Sequence, residues 1–415
     1  MAGGILILLL TTVGAMLLVN VVARPGSTDD RLLRQLYFYH VALSAVYYLY
    51  VLYNPSDSRG YYYGTFSTDD WWSLYGTSTT FIRFLAYPFV RYLAFSYEAS
   101  MVLFAFFGYL GFVAFYLSFR EQIRFKHTFL GVDLFKLIFF LPNLHFWSGS
   151  LGKGSVIFLG IALFFFGVSH LRTRFFWALL GGVLVYHVRP HILLVMLVSF
   201  ALAFVFSTRG VTFFWRAVFL AGATIAFFFI YQDVLTLIGI DEDQFITQGL
   251  DLTHRASELT KATSGVDITN YSLPMQVFTF LYRPLFFDAP GLLGWVVSVE
   301  NVFYLLITLR LLTRFSGWKH IAFGGFLSKG AFFSFLSVAI ALAQISGNLG
   351  LAIRQKSQVM ILFLFVVLAY LDEERKKSKI QQRRRRVQLA FPVHEKRWNQ
   401  NDPSGITDKK LKGTS

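Results

Sequence analysis

LPNLHFWSGSLGKGSVIFLGIALFFFGVS, residues 141–169, decides how this chain folds. Its second half, 156–169, is an uncharged apolar run. Such runs recur along the chain, and each reads as a helix in lipid. The first half is different. Pro142 ends the preceding apolar segment, His145 and Trp147 sit at its edge, and GSLGKGS sets Lys153 among glycines and serines. The motif therefore joins two short helices, with Lys153 at the N-terminal end of the second. Short or broken helices are tolerated in a membrane where they line a polar cavity inside protein.

The rest of the chain agrees. It has 415 residues, 55% hydrophobic and 15% charged, with 48 Phe. Soluble domains carry about 25% charged residues. The expected fold is all-α: a polytopic transmembrane helical bundle. Cysteine is absent, which excludes disulfides, thiolate metal sites and thiol catalysis. The N-terminus lacks a basic leader region and is not expected to be a removable signal peptide.

About eleven spans are expected: 3–22, 36–53, 100–119, 134–146, 156–169, 175–187, 192–206, 212–231, 290–309, 321–345 and 359–371. The segment 175–206 is read as two helices meeting at Arg189-Pro190, because proline disfavours helix at the residue before it. Segments 23–35, 120–133, 170–174, 207–216 and 310–320 are richer in Lys and Arg than in Asp and Glu. By the positive-inside rule they lie in the cytoplasm, with the N-terminus out and the C-terminus in. Residues 1–371 then form the transmembrane domain, with long outer loops at 54–99 and 232–289. Residues 73–97, aromatic and bearing Arg83 and Arg91, suit an amphipathic helix in the interface. Residues 372–415 form a basic cytoplasmic tail, whose run ERKKSKIQQRRRR reads as a stop signal meeting anionic lipids rather than nucleic acid.

This topology gathers the scattered charges on the outer face, where ionisable groups next to lipid point to function. Asp57 and Arg59 lie in PSDSRGYYYGT. Asp57 is placed to accept a proton from an attacking hydroxyl, and Tyr61 and Tyr62 to stack on a sugar. The competing reading is a polar turn, since Pro55, Ser56 and Gly60 form turns. Lys153, at a helix N-terminus, suits a lipid phosphate. GxxGKGS has the wrong spacing for a nucleotide-binding loop and no strand before it. In YHVRPHI, Arg189 suits a diphosphate, and Pro190 argues against a metal shared by His187 and His191. FLYRPLFFDAP adds Arg283, and GNLGLAIRQKS adds Arg354 and Lys356.

Together these motifs resemble bacterial membrane glycosyltransferases of the GT-C type and the related polysaccharide polymerases. LPNLHFWSGSLGKGSVIF is similar to their P-x-x-x-F-W-S-x-x-x-x-K hairpin. RPH, YRPL and NLGLAIRQK are similar to their later Arg-bearing motifs, and Asp57 before GYYYG to their acidic catalytic position. Two spans precede the acidic loop here, where many such enzymes have one, so Asp69 or Asp70 is the fallback base.

The resemblance implies a GT-C-like bundle with an outer-facing cavity, in a bacterial cytoplasmic membrane. It implies a polyprenyl-phosphate-linked sugar donor and a glycan or lipid acceptor. The catalytic base would be Asp57. Lys153, Arg189, Arg283 and Arg354 would bind the donor phosphate, and Arg59, Tyr61, Tyr62, His145, Trp147 and His191 the substrate. No cofactor is required, and a divalent metal is optional. Two other readings stand beside it: a transporter or flippase for a lipid-linked glycan, and a structural subunit that docks a partner through its outer loop.

Overall fold

The computed structural model describes residues 2–207 and 266–390, apart from positions 269, 290 and 345, with a few residues between 214 and 225. The expected span 212–231 and the loop motifs within 232–265 lie largely or wholly outside the described residues. What is described is almost entirely helical. The exception is one antiparallel hairpin, β1 (Thr128–Phe129) and β2 (Val132–Asp133).

The helices start where local chemistry permits. α1 spans Ala2–Val22. α2 (Thr28–Tyr53) begins at Ser27, whose side chain accepts the Asp30 N–H, with Asp29 and Asp30 in the first turn. α3 (Asp57–Tyr63) is capped by Ser56. α4 (Thr79–Tyr87) buries Phe81, Ile82, Ala86 and Tyr87 on one side. α5 (Tyr97–Gln122) is capped by Ser96. α6 (Leu134–Phe139) is capped by Asp133, and α7 (Pro142–Ser148) starts on proline. α8 (Lys153–Ser169), α9 (Leu171–Val188) and α10 (Pro190–Ser207) follow. α11 (Leu273–Tyr282), α12 (Gly291–Leu312), α13 (Phe315–Phe323), α14 (Phe326–Ala343) and α15 (Leu349–Ala390) are the remaining α-helices numbered among the described residues.

Six of these, α1, α2, α5, α12, α14 and α15, are long and apolar enough to cross a membrane. α8, α10 and α11 are apolar but shorter. Three local expectations change. Residues 134–146 do not form one span but two short helices broken at Pro142. The outer loop 232–289 contains helix α11, whose Thr279, Phe280, Leu281 and Tyr282 are buried. The interfacial helix of 73–97 is confined to α4, continued by a π-helical turn at Pro88–Tyr92. The break at Arg189-Pro190 occurs where proline placed it.

α15 is the core element. From Val359 to Leu371 nearly every side chain is buried, as expected for a helix apolar all round. α1 is the opposite, exposing Ile5, Leu6, Leu9, Leu10, Val13 and Leu17, a surface suited to lipid. α8 packs on α9 at near-backbone contact. A Cβ on Gly167 would lie 2.2 Å from the Ala178 nitrogen, and one on Gly181 2.3 Å from that of Phe164. Small residues allow such approach between helices in lipid. The chain divides into a body, Met1–Asp372, and a second unit, Glu373–Ser415.

Candidate functional site

Helix α3 presents Asp57 and Tyr61 four residues apart, hence on one face. Arg354 of α15 meets that face and donates from Nη1 to Asp57 Oδ2 at 2.8 Å. Its guanidinium also lies 5.8 Å from the Trp147 ring centroid of α7. Tyr61 is buried, and its ionisation is raised by burial and by Asp57, against the pull of Arg354 and Arg189.

Lys153 enters from the first turn of α8, ahead of the apolar run. The α7–α8 turn is compact: a Cβ on Gly154 would sit 2.1 Å from the Trp147 carbonyl oxygen, so glycine is required there. Lys153 Nζ donates to Ser78 Oγ at 2.7 Å, and the Ser78 N–H donates to the His187 carbonyl at 2.6 Å. Ser78 has φ 62, a conformation few side-chain-bearing residues adopt. It ties the α3–α4 loop to the end of α9. Burial first, then Arg189 and Arg354, push the Lys153 ammonium down to about 8, while Asp57 opposes them.

Arg189 stands at the α9–α10 break. Burial and Arg354 push its ionisation down to about 10. Among the described residues no side chain forms a hydrogen bond or ion pair with its guanidinium.

Three cations from α8, the α9–α10 junction and α15 thus share one neighbourhood: Arg354 binds the Asp57 carboxylate, Lys153 feels Arg189, Arg354 and Asp57, and Arg189 feels Arg354 and Tyr61. Lys153 uses one of its three donors, Arg354 is bound to Asp57, and Arg189 has no protein acceptor among the described residues. The 61% exposure of the Asp57 side chain leaves the group accessible. The arrangement carries excess positive charge, unused donors and one open carboxylate.

Other candidates lie elsewhere. Arg283 is not drawn in: Asp288, carried back by the turn that follows, binds its Nε at 2.5 Å and neutralises it. Lys356 is fully buried and donates to the carbonyls of Leu281 and Arg283 and to Asn301 Oδ1. His145 is buried in the core, stacked on Phe112 at 4.0 Å, with Nδ1 2.9 Å from that of His40. Arg59 is exposed, and its charge acts on Tyr48 and Tyr97 rather than on the cluster. Tyr62 turns away as well, donating to the Phe95 carbonyl at 3.1 Å. His191 occupies the first turn of α10, two residues past Arg189. The fallback acids are also apart: Asp69 pairs with Arg91, and Asp70 accepts the Trp72 N–H at 3.0 Å.

Two residues that matter, one beside the cluster and one in the core, have a weak sequence signal. Ser78 is an ordinary loop serine in GTSTT. Glu300, buried inside α12, accepts the Asn143 N–H at 2.6 Å and the Tyr304 hydroxyl at 3.2 Å. A lone acid in the apolar run GWVVSVENVFYLL was its available signal. Comparison of the chain with models of protein families, with curated proteins and with solved structures finds no match.

Proposed function

We propose that the cluster binds the phosphate of a lipid-linked sugar, and that the protein is a membrane glycosyltransferase or polysaccharide polymerase. One observation carries this reading: three mutually repelling cations share one neighbourhood with a single accessible carboxylate, which only Arg354 binds. Cations held this way are costly until an anion completes them. A diphosphate ester brings the matching charge and acceptors.

The chemistry follows from the roles. Asp57 accepts the proton of an acceptor hydroxyl, whose oxygen bonds to the anomeric carbon as the bond from that carbon to phosphate oxygen breaks. Inversion at that carbon results. Negative charge grows on the departing phosphate, and Lys153, Arg189 and Arg354 stabilise it there. Trp147, half-buried beside Arg354, offers a flat face to a sugar. In this reading the shorter helices α8, α9 and α10 join the six long ones in the membrane. The cluster then faces outward and the basic tail the cytoplasm of a bacterial cell.

The test is binding of a polyprenyl diphosphate to the purified full-length protein, followed by native mass spectrometry. Wild type retains it. Arg189→Ala loses affinity by about ten- to a hundredfold, because a charge-assisted contact is worth roughly 1.5–3 kcal/mol. Equal binding by wild type and Arg189→Ala, with Arg354→Ala also unchanged, rules the reading out.

A further inference from the structure

A second cationic concavity lies at the far ends of α2 and α5. Each helix has 26 residues, about 39 Å at 1.5 Å per residue. Both extend between the neighbourhood of α3 and this second site, α2 starting at it and α5 ending at it, so the two sites stand roughly a bilayer apart. The cavity, about 300 Å³, is lined by Asp29, Arg120, Arg124, Lys126, Asp133 and Lys136, among others.

Four cations meet two carboxylates, and both carboxylates are engaged. Asp29 accepts Arg120 Nε on both oxygens at 3.3 Å. Asp133 accepts the N–H groups of Phe135 and Lys136 at 3.1 and 3.4 Å, and lies 3.9 Å from Lys126. Among the described residues, Arg124 and Lys136 form no ion pair. The turn bearing Arg124 is nevertheless anchored: Asp372 Oδ1 accepts the N–H groups of Arg124 and Phe125 at 3.0 and 2.7 Å. A fixed backbone therefore carries a free guanidinium to the cavity rim.

The adjoining hairpin gives the independent observation. Its turn residues Leu130 and Gly131 have φ of 49 and 82. Asn or Asp suits the first of these positions better than leucine. Leu130 is nonetheless 87% exposed, and Val132 51%. Exposed apolar residues on a tight turn beside a cationic cavity match a membrane surface, where hydrocarbon meets phosphate.

We propose that this cavity binds the phosphate of an anionic membrane lipid, with the hairpin tip set into the adjoining leaflet. The proposal is independent of the transferase reading. The test uses full-length protein in neutral detergent, offered phosphatidylglycerol, phosphatidylcholine or inorganic phosphate. Native mass spectrometry counts retained lipid, and thermal unfolding measures stabilisation. Wild type should retain phosphatidylglycerol over phosphatidylcholine and unfold at a higher temperature with it. Arg124→Gln with Lys136→Gln should retain about thirtyfold less, since each of the two surface cations near anionic lipid contributes roughly 1 kcal/mol. Lipid held by the basic tail is common to both proteins, so the difference reports on the cavity. Leu130→Asp, in an exposed turn, should weaken retention without lowering stability in detergent alone. Unchanged phosphatidylglycerol retention in both variants overturns the site. Equal stabilisation by inorganic phosphate, lost in the double variant, would overturn the lipid assignment and leave a free-anion site.

Discussion

Two polar assemblies interrupt this apolar bundle, and they differ in how they are satisfied. In the first, Lys356 of α15 donates to three acceptors, the full complement of an ammonium. Its neighbour Glu300 is bonded on both oxygens, and Asn301 Nδ2 donates to the Pro284 carbonyl at 2.7 Å. This hub ties α7, α12, α15 and the turn after α11 together and is closed to water. In the second, Lys153 and Arg189 keep unused donors, and the Asp57 carboxylate that Arg354 binds stays exposed. Residues 354 and 356 are neighbours on one helix, yet one faces an exposed carboxylate and the other a completed network. Completeness of hydrogen bonding, more than burial or charge, separates the scaffold from the candidate site.

The sharpest way to break this comparison is to damage the hub. Lys356→Met should cost about 3–5 kcal/mol, because it strands three buried acceptors and removes the cation beside Glu300. Thermal unfolding in detergent would register it. Adding Glu300→Gln to Lys356→Met should recover part of that loss, since no unpaired charge is then left in the core. A Lys356→Met protein as stable as wild type would place this lysine in the same class as Arg189.

A smaller effect should mark the open cluster. The Lys153 ammonium, pushed down to about 8, is charged below that pH and neutral above it. Polyprenyl diphosphate binding should therefore weaken as pH rises through about 8, by up to roughly tenfold for one lost contact. Lys153→Arg should flatten the profile, since a guanidinium stays charged. A pH-independent wild type would show that Lys153 does not meet the anion.

The smallest change is expected at the fallback acid. Asp69→Asn removes an exposed ion pair with Arg91, which is worth about 0–1 kcal/mol. Sugar transfer by reconstituted protein should be unchanged, whereas Asp57→Asn should abolish it. The reverse result would move the base to Asp69 and dissolve the cluster's link to catalysis.

Much of the helical plan was legible because lipid imposes it. Apolar runs such as 3–22 and 100–119 are long, nearly uncharged and unambiguous. The break at Arg189-Pro190 was legible because proline restricts its predecessor. The run 134–146 misled because its apolar residues conceal a helix end at Phe139 and a new start at Pro142. Arg283 and Arg354 looked alike in sequence. A five-residue return to Asp288 neutralises the first, and helix packing carries the second to Asp57.

By itself the sequence determined the class of molecule and its cast of charges. Hydropathy is a sum over local residues, and proline and glycine act on their own neighbourhoods. Which charges meet was decided by the tertiary structure alone. Arg354 reaches Asp57 across 297 positions, and Lys153 finds Ser78 across 75. Such contacts depend on how α3, α8, α9 and α15 pack, and packing is settled by shape complementarity over whole helices rather than by any short motif.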